Sequence, residues 1–323
     1  MNFPFFPRQA STTAVKTDEI YFFLLGFSVL MLAMIFLPMI YCLFKYRRGH
    51  KANREPLQIN TNKVEITWTI LPTIVAMGMF VWGTEVYFYE EVPPKDPLQI
   101  NVIGKQWMWK IQHQEGNREI NALHVPVNRA VELTMGSEDV IHSFSIPAFR
   151  TKQDVVPGRF TTEWFRATRV GAYDFYCTEY CGAGHADMRG KVYVLSPAGY
   201  ERWLAATAPK DTLAQDGGIL FHELGCSGCH ENSQTVHAPP LEGLYGRTVP
   251  LADGTFASVD DQYIHDHIFF PTREVPAGYQ AVMPSFQGRV SEAQVFELVA
   301  YIKSLANQQP PQNRAGDEPP PKK

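Results

Sequence analysis

Cys177-Thr178-Glu179-Tyr180-Cys181-Gly182-Ala183-Gly184-His185-Ala186-Asp187-Met188 gathers two thiols, an imidazole and a thioether in one short stretch. Soft sulfur donors combined with imidazole select copper or zinc. A mononuclear blue-copper site takes one Cys, two His and a weak axial Met. The second Cys is surplus to that recipe, and one His is missing locally. His142, in Asp139-Val140-Ile141-His142-Ser143-Phe144, offers the missing imidazole on a strand edge. The resulting Cys₂His₂Met set suits two metal ions bridged by two thiolates, each capped by one His. Such a centre transfers electrons and has no place for a substrate. A Cys177–Cys181 disulfide and a zinc site are the competing readings of the spacing.

A second constellation lies downstream. Cys226-Ser227-Gly228-Cys229-His230 is the c-type haem attachment signature. Residues three apart share a helix face, so both sulfurs reach the porphyrin while His230 coordinates iron from one side. Met283, in Val282-Met283-Pro284-Ser285-Phe286, is the expected second axial ligand. Ligation by Met and His raises the reduction potential and suits electron carriage. His222, His237, His265 and His267 compete with it from less favourable positions. The fifth cysteine, Cys42, sits in an apolar run and reads as a small buried hydrophobe.

These groups need a scaffold, and the chain opens with an anchor. Ile20–Phe44 and Ile66–Thr84 carry no charge, and runs of about 19 to 25 residues suffice for bilayer-spanning helices. Tyr21 and Tyr41 sit near the ends of the first, and Pro38 and Pro72 are tolerable within membrane helices. A cleaved signal peptide fits poorly, because the first run is too long and its basic cluster follows it. That cluster (Lys45, Arg47, Arg48, Lys51, Arg54) places the connecting loop in the cytoplasm and both termini outside. Glu65 opens the second helix; a proton path and a dipole-stabilised surface carboxylate are both open readings.

Beyond Tyr89 the chain turns polar. Leu98–Ile103, Trp107–Gln112, Ala130–Met135, Thr161–Arg166 and Lys191–Leu195 read as strands separated by Gly, Asn and Pro. That rhythm predicts an all-β Greek-key sandwich or barrel. Helical patterning begins at Pro197 and stops at Pro209. From Thr212 a short helix, a long loop-rich stretch and a closing helix over Glu292–Leu305, capped by Ser291, predict an all-α domain. The expected organisation is an outer segment (1–19), a two-helix transmembrane hairpin (20–92, helices at about 20–44 and 66–89) and a β domain (93–197). A linker helix (198–211), a haem domain (212–306) and a disordered Pro-rich tail (307–323) complete it. With 29 Lys and Arg against 33 Asp and Glu, the near-neutral chain shows no footprint for nucleic acid.

Cys-x-Glu-x-Cys-Gly-x-x-His-x-x-Met at Cys177–Met188, with Asp-Val-x-His-Ser-Phe at Asp139–Phe144, resembles the CuA motif of cytochrome c oxidase subunit II. The similarity runs from the helix hairpin with Glu65-to-Pro72, through Gly104-Lys105-Gln106-Trp107-Met108-Trp109, to Met188. It implies a cupredoxin-like fold and a dinuclear copper centre bridged by Cys177 and Cys181. His142 and Met188 would complete one copper, and His185 with the Glu179 carbonyl the other. It further implies a magnesium ion held by the Glu179 side chain at the catalytic subunit and Glu65 at a proton-channel mouth. Trp107 would be the ring that receives electrons from cytochrome c, although a fused donor could move that port. Asp174-Phe175-Tyr176 departs from the Gly-Gln common before the first Cys. Pro239-Pro240-Leu241-Glu242-Gly243-Leu244 is similar to the loop packing the propionate side of haem in c-type cytochromes.

The expected molecule is therefore a multidomain membrane protein: subunit II of a bacterial inner-membrane oxidase with a cytochrome c domain fused at its C-terminal side. Its expected partners are the haem-copper subunit I, other oxidase subunits, and either cytochrome c or a membrane-bound quinol-oxidising complex as donor. It would feed a catalytic subunit that reduces O2 to water and pumps protons. An anchored electron carrier without an oxidase is the rival reading. A nitrous oxide reductase would need a large histidine-rich domain, and quinol-fed relatives lack the copper ligands.

Overall fold

Two long helices lead the chain, α1 (Thr12–Lys45) and α2 (Thr61–Glu91). Their apolar side chains stay exposed on nearly all sides, which water would not tolerate but hydrocarbon does. Cys42 lies among these exposed positions and not in a core, contrary to expectation. Both helices outrun their uncharged stretches. Ser11 caps α1 by accepting from the Ala14 amide, so the helix starts before the apolar run does. Phe23 meets Trp82 edge to face between the helices. The structure, a computed structural model, describes residues 7–53, 55, 61–231 and 238–308. Arg54, His237 and most of the expected tail therefore lie outside the described residues.

Ten strands follow: β1 (Leu98–Lys105), β2 (Met108–His113), β3 (Arg118–Ile120), β4 (Ala122–Pro126), β5 (Ala130–Ser137), β6 (His142–Ile146), β7 (Thr151–Val155), β8 (Thr161–Arg166), β9 (Gly171–Cys177) and β10 (Arg189–Leu195). They form two sheets, ordered β3-β2-β1-β5-β8 and β4-β10-β9-β6-β7. Alternating residues meet between them, with Val102, Trp109, Leu133, Phe144, Phe165 and Phe175 in the core. Trp107 falls in the turn before β2 and not within it, because β1 and β2 pair only up to Lys105 and Met108.

The anchor is keyed to this sandwich. The Ala10 amide donates to the Ala148 carbonyl, Ser11 Oγ to Phe149, and Trp164 Nε1 to the last turn of α2 at Tyr89. Asp18 is buried against Arg150 at 2.8 Å. The outer segment is thus bound to the β domain from Pro7 onward, through long-range pairs that sequence periodicity does not report.

Helix α3 (Pro197–Ala206) leads to α4 (Leu213–Glu223), the short α5 (Ser227–His230), α6 (Asp261–Phe269) and α7 (Glu292–Ser304). Helix α6 stands inside the stretch expected to be loop. Asp260 caps it, and Ile264 and Ile268 face the core, a four-residue spacing that was available as a signal. Gly217 lets α4 cross α7: an added Cβ would sit 1.9 Å from the Glu297 carbonyl. A two-strand pairing of Thr248–Pro250 with Phe256–Ser258 adds a little β structure to the expected all-α domain.

The haem-type domain packs on the outer face of the first sheet. Phe160 stacks on Phe296 with ring centroids 4.4 Å apart, and its amide donates to Gln262. Arg118 bonds both Asp216 and Glu297 at 2.7 Å, and Lys303 reaches Gln99. This cover explains why β1 is buried on both faces, Ile103 as well as Val102.

Glu163 is the conspicuous strain in the sandwich. Among the described residues neither carboxylate oxygen has a well-formed hydrogen bond, and burial pushes the group up to about 8, only partly offset by the Thr151 hydroxyl. Unfolded, it would lose its proton near the ordinary 4.5, so between about pH 5 and about pH 8 the unfolded state binds fewer protons and stability falls as pH rises. By pH 7 the penalty is on the order of 3 kcal/mol. Glu163→Gln should flatten the fall in unfolding temperature across that window and raise stability at its upper end. An unchanged slope in calorimetry would refute the assignment.

Candidate metal centre and haem site

Strand β9 ends at Cys177, and the loop to β10 turns back through Cys181, a short 3₁₀ turn at His185–Asp187 and Met188. β6 begins at His142 and pairs with β9 through Phe144 and Cys177. The ladder thereby lays His142 beside the loop. The two sulfurs lie 3.8 Å apart. His142 Nδ1 is 3.9 Å and the Glu179 carbonyl 3.2 Å from Cys177 Sγ, while His185 Nδ1 is 3.5 Å and Met188 Sδ 3.8 Å from Cys181 Sγ. All six expected donors converge.

Their charges fit cations. Burial opposes ionisation of Cys177, yet hydrogen bonding to His142 and to the Ser143 and Glu179 backbone holds its thiol well below the ordinary range. Burial and the neighbouring Cys177 push Cys181 the opposite way. One thiolate forms readily and the second resists, so two thiolates side by side require positive charge between them. The described cysteines are all unpaired, and no disulfide joins Cys177 to Cys181.

Asp139, unassigned in the sequence reading although it stands three residues before His142, orients the cage. Its Oδ1 lies 2.8 Å from His142 Nε2, and its Oδ2 accepts from the Gln106 amide. A carboxylate only accepts here, so Nε2 carries the proton and Nδ1 turns its lone pair toward the sulfurs. Burial works against its ionisation, but these bonds keep Asp139 below the usual carboxylate range. Trp107 lies across the loop, its Nε1 donating to the Cys181 carbonyl at 3.2 Å and its ring 39% exposed. Gly184 makes room for it: a Cβ there would meet the indole at 2.5 Å. Glu179 is exposed. Glu65 stands apart, exposed near the start of α2.

In the helical domain, Cys226, Cys229, His230 and Met283 line one cavity of about 370 Å³, together with Phe221, Leu241, Ile268 and Phe286. The Pro239 carbonyl lies 2.9 Å from His230 Nδ1 and fixes the ring. Pro239, Pro240, Leu241, Glu242 and Leu244 also border the cavity. Among the competing histidines, His222 and His265 do not line it. His265 is buried between Asp266 and Glu292. His267 does line it.

A soft-donor cage in a β-sandwich, a Cys-x-x-Cys-His cavity and a two-helix anchor define a membrane-bound electron-transfer protein. Family models place it further: "Cytochrome C oxidase subunit II, transmembrane domain" matches residues 1–84, "Cytochrome C oxidase subunit II, periplasmic domain" residues 117–194, and "Cytochrome c" residues 214–306. Cytochrome c oxidase subunit 2 of Alkalihalophilus pseudofirmus is 30% identical over 292 residues, 86% of this chain and 82% of that one. The Synechocystis protein of the same name is 29% identical over 255 residues (64% and 76%). Alternative cytochrome c oxidase subunit 2 of Bradyrhizobium diazoefficiens is 31% identical over 220 residues (58% and 78%). The chain belongs to the cytochrome c oxidase subunit II family and carries a fused cytochrome c domain. It is thus a membrane-anchored subunit of a cytochrome c oxidase, with a periplasmic domain. The first domain implies CuA and the second haem c, and the residues present fit both.

Replacing Asp139 by Ala should free the His142 ring and weaken copper retention about 10- to 100-fold. Competition against a copper chelator measures this; unchanged retention would show that the carboxylate does not support the ligand.

Proposed function

We propose that this chain conducts single electrons from an external donor to the catalytic haem-copper subunit, which reduces O2 to water and pumps protons. When bound, the haem iron and the copper pair supply reversible one-electron chemistry. The observation that carries the reading is the convergence of four further donors on two adjacent buried sulfurs. Cys177, Cys181, His142, His185, Met188 and the Glu179 carbonyl would hold the copper pair. The exposed Glu179 carboxylate holds magnesium at the face toward the catalytic subunit. Glu65, near the start of α2, marks the proton-channel mouth on the cytoplasmic side.

In the fused domain Cys226 and Cys229 would attach the haem, and His230 and Met283 would hold its iron. Trp107, lying on the Cys181 loop and half open to solvent, remains a port for a soluble donor. The donor is cytochrome c or a membrane-bound quinol-oxidising complex, docked outside the bacterial inner membrane where both termini lie. The domain limits that serve this path are 1–19, 20–92, 93–197, 198–211, 212–306 and 307–323. Packing of the fused domain on the first sheet, through Phe160 and Arg118, replaces a diffusional encounter by a permanent neighbour at high effective concentration.

Cys181→Ser should abolish the near-infrared absorption of a mixed-valence copper pair and leave haem c absorbance intact; survival of that absorption would reject the bridge. Met283→Ala should remove the weak sulfur-to-iron charge-transfer absorption, and a spectrum identical to wild type would move the axial role elsewhere.

A further inference from the structure

Two glycines thin the first sheet at one spot. On the paired strands β1 and β5, Ile103 stands opposite Gly136 and Gly104 opposite Ser137. Side chains alternate between faces along a strand, so Ile103 and Gly136 belong to the outer face and Gly104 to the inner one. At Gly104 the His142 imidazole takes the room of a side chain: an added Cβ would meet its Cδ2 at 2.8 Å. At Gly136 the Phe160 ring does the same from outside, its Cε1 3.3 Å from where a Cβ would stand. Neither glycine has a positive φ, so close approach and not a turn of the chain calls for glycine here. One layer of hydrogen-bonded backbone, with the Glu138 amide donating to the Gly104 carbonyl at 3.0 Å, separates the two rings.

Phe160 comes from the loop before β8, but its other side belongs to the helical domain. The ring lies 4.7 Å from His265 of α6 and 4.4 Å from Phe296 of α7, between centroids, and packs against the core of that domain. The same two helices turn Ile264, Ile268, Leu298 and Ile302 to the haem-type cavity. One helix layer therefore lies between the cavity and Phe160, and one backbone layer between Phe160 and His142. Electron tunnelling falls off far more steeply across a gap than through bonded or touching atoms, so a side chain that closes such a seam sets the rate across it. Trp107 meets the cage elsewhere, at the Cys181 carbonyl.

We propose that Phe160 and the Gly136–Gly104 crossing form the internal electron route of this chain, delivering the electron to the copper pair at His142, while Trp107 serves donors from solution. The inference rests on the donor and acceptor roles given above to the haem and copper sites. In each passage the iron goes from ferrous to ferric and the mixed-valence copper pair becomes fully cuprous. One electron moves, and no bond is made or broken. The Phe160 ring is a contact and is itself neither oxidised nor reduced.

Flash reduction of haem c in the full-length, cofactor-loaded chain, followed at the haem absorption and the near-infrared copper absorption, tests this. Phe160→Leu should slow the haem-to-copper phase severalfold. Both reduction potentials should stay at their wild-type values. So should the iron–copper separation, read from relaxation enhancement of the copper paramagnetic resonance. An unchanged rate overturns the proposal. A slowing accompanied by a longer iron–copper separation overturns it too, because the ring would then be only a clamp between domains. If Phe160→Leu fails to load haem, Gly136→Ala serves, since its methyl must lift the ring by a few tenths of an ångström; an unaltered phase there counts against the route equally. A Trp107→Ala protein slowed more than Phe160→Leu would send the electron round the Cys181 loop and overturn the proposal. A wild-type chain in which no electron passes from haem to copper would instead refute the underlying pairing of donor and acceptor.

Discussion

Two sulfur atoms 3.8 Å apart in a buried loop set the terms for the rest of the molecule. As thiolates they would repel by about 4 kcal/mol at an effective dielectric near 20. Only cations between them relieve that repulsion. The β-sandwich is what holds them close: Cys177 is fixed in the β6–β9 ladder, Cys181 by its loop, and His142 by Asp139. A flexible loop would let the sulfurs separate or oxidise. A rigid ladder keeps the site preorganised, which also limits rearrangement when an electron arrives or leaves.

The same demand for fixed geometry explains the packing between domains. Electron transfer between two centres needs a constant separation, and the seam supplies it with one aromatic stack, a shared arginine and a lysine that reaches Gln99. The anchor is held in turn by Asp18–Arg150 and by Trp164 on Tyr89. Anchor, sandwich and haem domain therefore form a connected body, in which His142, Cys177, Cys181 and Met188 are buried.

Much of this was legible in the sequence because the chemistry is local. Cys177–Met188 and Cys226–His230 are short motifs, and the membrane runs are long and uniform. The convergence of His142 was legible only through its own motif, since strand pairing brings it across 35 residues. What escaped was non-local or lacked a strong periodic signal. Asp139 acts through a contact visible only once β6 is placed. Helix α6 is short, and its apolar residues are interrupted by His265 and His267. Phe160 reads as an ordinary turn aromatic until Phe296, far along the chain, is laid against it. Trp107 was assigned to a strand because alternating aromatics carry that pattern, whereas the pairing starts one residue later.

The most direct test of the central claim is metal analysis of the intact oxidised chain, combined with paramagnetic resonance of its copper. The account predicts two coppers and one iron per chain, with a single unpaired electron coupled equally to both copper nuclei. A single copper or a zinc ion in the cage, or Cys177 and Cys181 found cross-linked in the mature protein, would contradict it.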